Sequence, residues 1–212
     1  VCRVSRLERG LQSISTFDEI NKRISFLLTQ PMLSHIHPSN LANDLSTFST
    51  GLVPYPRVNT LISSGHLWSG DNWPSSQSLQ GAYTVNGDHS NSKSMMTAVF
   101  FRSPSITPRA INTYVQTVMR PATRFVDWAP SGFKCGIINR ESRIHAYTGN
   151  ISMVTVANST VVGGYFCRLA AQCKNIPQSS LFNWGDVQES IEDIRSLGMD
   201  YQEISEDIPD VD

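Results

Sequence analysis

Apolar positions recur at helical spacing in the first part of the chain. Phe17, Ile20, Ile24, Leu27 and Leu28 fall on one stripe, and Pro31 ends the run. Thr16 and Glu19 stand three residues apart at its start, the spacing of a capping box in which each side chain satisfies an otherwise orphaned backbone donor. A second helix is predicted after Ser39, with Leu41, Leu45 and Phe48 on one face and Gly51 as its stop. Pro54 and Pro56 then forbid helix and predict an extended run over 52–58 leading into a strand. Residues 63–93 are rich in Ser, Gly, Asn and Asp and read as a loop, a long one for a compact domain.

Strands are predicted at 95–101, 124–128, 133–139 and 151–157, where β-branched and aromatic residues cluster. Between the first two lies a helix. Thr107 is its cap, Pro108 suits its first turn, and Ile111, Tyr114, Val115 and Val118 form its buried stripe. After Asn158-Ser159-Thr160 a further helix brings Val162, Tyr165, Phe166 and Leu169 together. The last helix is placed at Asp186, where Glu189 completes another capping box and Val187, Ile191 and Ile194 face inward; Gly198 is expected to weaken it. Strands that do not strictly alternate with helices predict an α+β fold, a mixed sheet with helices on one face.

Of the 212 residues, 40% are hydrophobic and 17% charged, enough to bury a core without a metal or disulfide staple. No apolar run approaches the roughly 20 residues of a membrane span, so no membrane partner is expected. No charged-then-apolar leader opens the chain, and no signal peptide is expected. The chain starts at Val1 inside an arginine-rich stretch, which reads as a piece of a longer protein. Cys2, Cys135, Cys167 and Cys173 match neither a zinc ribbon nor CxxC and read as reduced thiols in or near the core. The sequons at Asn150 and Asn158 read as chance in a protein without a signal peptide.

The net charge of −1 conceals an asymmetry: residues 1–185 balance at +8 and residues 186–212 at −9. Such a split points to an interaction tail or a self-complementary surface. The basic body carries its charges scattered, with no aromatic-interleaved stripe, so nucleic acid is not an expected partner. No Gly-rich phosphate loop, GxSxG or HExxH is present, and no metal site is expected. His35 and His37, between Pro31 and Pro38, read as a solvated loop pair; Asp127 reads as the cap of the turn Ala129-Pro130-Ser131-Gly132 rather than a catalytic acid.

Two segments, TGLVPYPRV over 50–58 and RFVDWAPSGFKCGI over 124–137, resemble the two most recognisable C-terminal stretches of α-tubulin. Shorter matches fall in order around them. The opening Val1-Cys2-Arg3 resembles the segment before tubulin's core helix, and Thr16 to Ile24 the start of that helix. Val156 to Thr160 resembles a late strand-to-helix step, and Asp200 to Ile204 the end of the last helix. The chain is thereby similar to the C-terminal half of a divergent α-type tubulin.

The resemblance implies a two-layer α/β sandwich, preceded by a core helix and followed by C-terminal helices. Its divisions are 1–51 (end of the nucleotide-domain region), 52–158 (sandwich) and 159–212 (helical layer with an acidic tail). It implies a structural constituent of the microtubule cytoskeleton, cytoplasmic, whose partners are tubulin subunits, with motors or microtubule-associated proteins at the acidic end. The family's GTP cofactor is expected only where an N-terminal domain supplies the phosphate loop. Phe17 stands where an aromatic ring stacks on guanine, and Asn21 where an asparagine hydrogen-bonds the base.

Three departures stand out. Thr47 occupies the position of the family's water-activating glutamate, with Asp44 the nearby acid. A threonine cannot act as a general base near neutral pH, and no catalytic residue is assigned to this chain alone. Residues 63–93, at the lateral loop, are shorter than the family's and lack an amphipathic helix, and the connection 179–186 is short. The alternative expectation is a relative that folds but does not polymerise and serves as a binding module.

Overall fold

The computed structural model describes residues 16–18, 21, 25, 50–68, 73, 91–103, 106–130, 132–138, 151–175 and 183–206. The helix expected after Ser39, with Asp44 and Thr47, lies outside the described residues up to Thr50, as do the histidine pair and Asn150.

Four strands form one mixed sheet: β1 (Leu61–Trp68), β2 (Ser94–Arg102), β3 (Phe133–Ile138) and β4 (Ile151–Ser159), in the order β1-β4-β2-β3. β4 pairs antiparallel with both β1 and β2, and β2 pairs parallel with β3. The central pair is buried on both faces, so β2 (SMMTAVFFR) reads as a near-continuous apolar run rather than an alternation. Register sorts its side chains: Val99 and Phe101 stand beside Thr155 and Met153 on one face, while Ala98 and Phe100 stand beside Val156 and Val154 on the other.

The first face carries the helices. Pro108–Tyr114 (α1) runs into a π-helical turn, Val115–Met119, and a short α2, Arg120–Ala122. Thr107 caps α1 by accepting a hydrogen bond from the Ala110 N–H at 3.3 Å. The widened turn stands just before Pro121, whose ring would clash with the carbonyl of Thr117 in a regular α-helix. Ile111, Tyr114, Val115 and Met119 pack on Val99, Phe101 and Met153, joined by the rings of Trp73 and Tyr114, 4.6 Å apart. Burial pushes the Tyr114 phenol upward and the Cys135 thiol, on the same face, up to about 11, which keeps the thiol protonated and unreactive. Ile111 is 2% exposed, and Ile111→Ala is expected to cost about 2–5 kcal/mol in urea unfolding. A cost below about 1 kcal/mol would contradict the layer.

The other end of this face is covered by α3 (Val161–Cys173) and α4 (Trp184–Ser205), with Val161, Val162 and Tyr201 against Ile62, Val58, Val126 and Ala157. On α3 it is Val161, Val162, Gly163 and Ala170 that are buried, while Tyr165, Phe166 and Leu169 are half-buried. The two helices cross at their glycines. A Cβ on Gly163 would stand 2.7 Å from the Tyr201 Cβ and 2.8 Å from the Gly198 carbonyl, and one on Gly198 2.7 Å from the Cys167 Sγ. Gly198 thus sits buried inside an unbroken helix at its closest contact, instead of weakening it.

Five further sequence expectations are corrected. Residues 53–57 form a turn rather than an extended run, and the strand that starts at Leu61 runs on through Trp68, into the stretch read as loop. Ser63, Ser64 and Gly65 hid it, because β-pairing with Val156, Thr155 and Val154 overrides their weak propensity. Residues 124–128 make one isolated bridge, Phe125 to Ser94, before the chain turns at Asp127 and Trp128. The last helix starts at Trp184, because the Asn183 side chain accepts from the Gly185 N–H at 3.3 Å and forms the cap three residues before Asp186. Phe17 does not join a core stripe: it lies in the helix's first turn and is 86% exposed.

Candidate subunit-contact surface

The turn of 53–57 is made by Pro54 and Pro56, which fix φ and withhold N–H donors, and it closes with Val58 N–H donating to the Tyr55 carbonyl at 3.0 Å. Its ends are pinned by one side chain. Asn158 on β4, fully buried, donates from Nδ2 to the carbonyls of Leu52 (3.1 Å) and Val58 (2.6 Å). Sequence reading took this asparagine for a chance sequon; it is inaccessible to any modifying enzyme and instead binds the turn to the sheet. Leu52 continues the support by packing with Ala98, Phe100, Val154 and Val156 on the sheet's second face.

Helix α4 braces the same turn from the other side. Arg57 Nε lies 3.0 Å from Asp200 Oδ2, off the line of a directed hydrogen bond, so the contact is electrostatic; Nη2 donates to Ser196 Oγ at 3.1 Å. With Arg57 62% exposed, this pair is a weak brace. The stronger tie is Tyr201, whose buried hydroxyl accepts from the Thr60 N–H at 3.0 Å. Burial raises its phenol, and the hydrogen bond from Thr60 acts the other way.

The second tubulin-like segment arrives beside the first. Ser94 N–H donates to the Arg124 carbonyl at 2.6 Å and Val126 N–H to the Ser94 carbonyl at 3.1 Å, which lays 124–126 along β2. The turn after it closes with Gly132 N–H donating to the Ala129 carbonyl at 3.1 Å. Gly132 presses so close to the Met95 carbonyl that a Cβ would collide with it, which explains a glycine there. Trp128 is thereby carried to Tyr55, ring centroids 5.7 Å apart and edge-on. The two rings are 43% and 50% exposed, a large aromatic pair left facing solvent over a supported base. Asp127 pairs with Lys93 at 3.7 Å instead of capping the turn. Lys134 closes the surface on the other side, its ammonium over Gly51.

Of the residues singled out from sequence, Phe17 and Asn21 are both exposed and helical, and Thr47 and Asp44 lie outside the described residues. Sequence reasoning missed Asn158, Arg57 and Tyr201, which shape the surface. The signal for Asn158 was an amide within a run of buried strand residues, where a polar group needs a partner. Among the described residues no helix is long and apolar enough to cross a membrane.

A family model described as the Tubulin C-terminal domain matches residues 79–171, from before β2 into α3. Over these residues the chain is similar to that domain, and the four-stranded mixed sheet with its helical layers is consistent with its sandwich. It is 26% identical over 222 residues to the tubulin alpha chain of the nucleomorph of Guillardia theta, a similarity covering 92% of this chain and 49% of that protein. The chain therefore spans about half the length of the curated relative it matches.

Proposed function

We propose that this chain acts as a tubulin-like cytoskeletal subunit, or as part of one, by joining head to tail with a second tubulin-type subunit through the surface of 50–58 and 124–134. One observation carries the reading: the two segments most like α-tubulin, distant in sequence, meet and hold Tyr55 and Trp128 together and half-exposed. Aromatic side chains of this kind, rigid and only partly desolvated in the free chain, are the residue types that dominate association energies.

GTP belongs to this proposal only with an N-terminal nucleotide domain. An exposed ring at Phe17 and an amide at Asn21 offer base stacking and one hydrogen bond, together about 2 kcal/mol, against the roughly 8 kcal/mol of a micromolar ligand. Motors or microtubule-associated proteins are the proposed partners of α4, whose outward face presents Asp186, Glu189, Glu192, Asp193 and Glu203, with Glu206 just past its end.

Co-sedimentation with microtubules tests the reading. The 212-residue chain is expected to pellet with them, and Tyr55→Ala with Trp128→Ala to weaken association by about 30-fold or more, the loss of a hot spot of about 2 kcal/mol. A chain that stays in the supernatant while folded would favour the non-polymerising relative; pelleting unaffected by the double substitution would move the contact elsewhere.

A further inference from the structure

A second surface lies on the outer side of the α3–α4 pair. Because the helices approach as closely as Gly163 and Gly198 allow, the small side chains of Cys167, Ala170 and Ala171 leave a groove of about 410 Å³ between them. Its α4 wall is Arg195, Met199 and Gln202, which share one stripe at i, i+4 and i+7. The volume is within the range of about 300–1,000 Å³ that binding clefts occupy. Met199 is 56% exposed, an unbranched apolar side chain at the lip of the groove, adaptable in shape.

The charge of the groove is opposite to that of its helix. Helix α4 is acidic along its length, yet no carboxylate lines the groove; its charged groups are Lys174 at the end of α3 and Arg195. Both are exposed, and among the described residues neither has a carboxylate within ion-pair distance. Glu192 and Glu203 stand on the same helix without lining the groove. An occupant that complements these walls brings an apolar side chain to the small-residue floor and carboxylates to the two cations.

We propose that this groove docks a partner-protein segment in which an aliphatic side chain is flanked by acidic residues. This surface is separate from the contact of Tyr55 and Trp128, and the inference does not rest on that reading. A basic partner would suit the outward carboxylates of α4; the groove selects the reverse chemistry, so one helix pair sorts two kinds of partner by charge.

Fluorescence polarisation of the 212-residue chain against a capped, labelled peptide, one isoleucine between two aspartates on each side, tests it. Binding is expected to weaken at least tenfold when lysines replace the aspartates, with Arg195→Glu, and with Ala171→Trp, which fills the groove from an exposed position. Arg195→Glu sits on the surface and keeps the test valid should the tryptophan disturb folding. Equal binding of the acidic and basic peptides, or indifference to Arg195→Glu, overturns the proposal. A concentration-dependent dimer of the chain that Ala171→Trp abolishes assigns the groove to a second copy and overturns it equally.

Discussion

Asn158→Asp is expected to cost at least about 3 kcal/mol of stability at pH 8 and to release the turn that carries Tyr55. The native amide donates to two buried carbonyls, and its own Oδ1 accepts nothing. A carboxylate there only accepts, so both carbonyls lose their donor at about 1–3 kcal/mol each while a charge is buried without a partner. Protonation restores one donor, so folding raises the pKa of the introduced acid above its unfolded value of about 3.9. The sign follows: the loss is smallest below that value and grows as pH rises through the raised folded-state pKa. Urea unfolding of the variant at pH 4 and pH 8, each against the parent chain, measures it. A loss under about 1 kcal/mol, equal at both pH values, would contradict the role given to Asn158.

The second large effect concerns the rate of nucleotide hydrolysis in a partner. In a complete subunit seated head to tail on a second tubulin, Thr47 would take the place of a general base, and loss of such a base costs roughly 10²–10⁴-fold in rate. Thr47→Glu is therefore expected to raise phosphate release from co-polymers by up to that factor, with the native assembly holding its GTP. Equal and rapid release from both would point to Asp44 as a surviving base or to an interface that does not form.

Much of the sandwich was legible because its cues are local. Thr107 with Pro108 marked the start of α1 correctly, and β2, β3 and β4 lie where clusters of β-branched and aromatic residues placed them. The misses share a cause, which is tertiary override. β1 is a strand because β4 pairs with it along its whole length, despite two serines and a glycine. Asn183 took the cap from Asp186 by reaching the Gly185 N–H. Gly198 looked like a helix breaker in one dimension and is a contact point in three, since only the position of α3 shows what it makes room for.

The surface was half legible. The two tubulin-like segments were visible as motifs, but nothing in their spacing showed that Tyr55 would meet Trp128. That meeting depends on Asn158 and Tyr201 holding one segment and on the parallel β2–β3 pairing holding the other. Buried hydrogen bonds between residues a hundred or more positions apart carry no local signature.

The most direct test places a photo-crosslinker, p-benzoylphenylalanine, at Tyr55 and separately at Met199, and irradiates each chain with αβ-tubulin. A subunit contact at the paired aromatics predicts an adduct from position 55 that maps to the end of the partner beside its nucleotide, and none there from position 199. No adduct from position 55 under conditions where the chain pellets with microtubules would contradict the account, as would an adduct at that end of the partner from position 199.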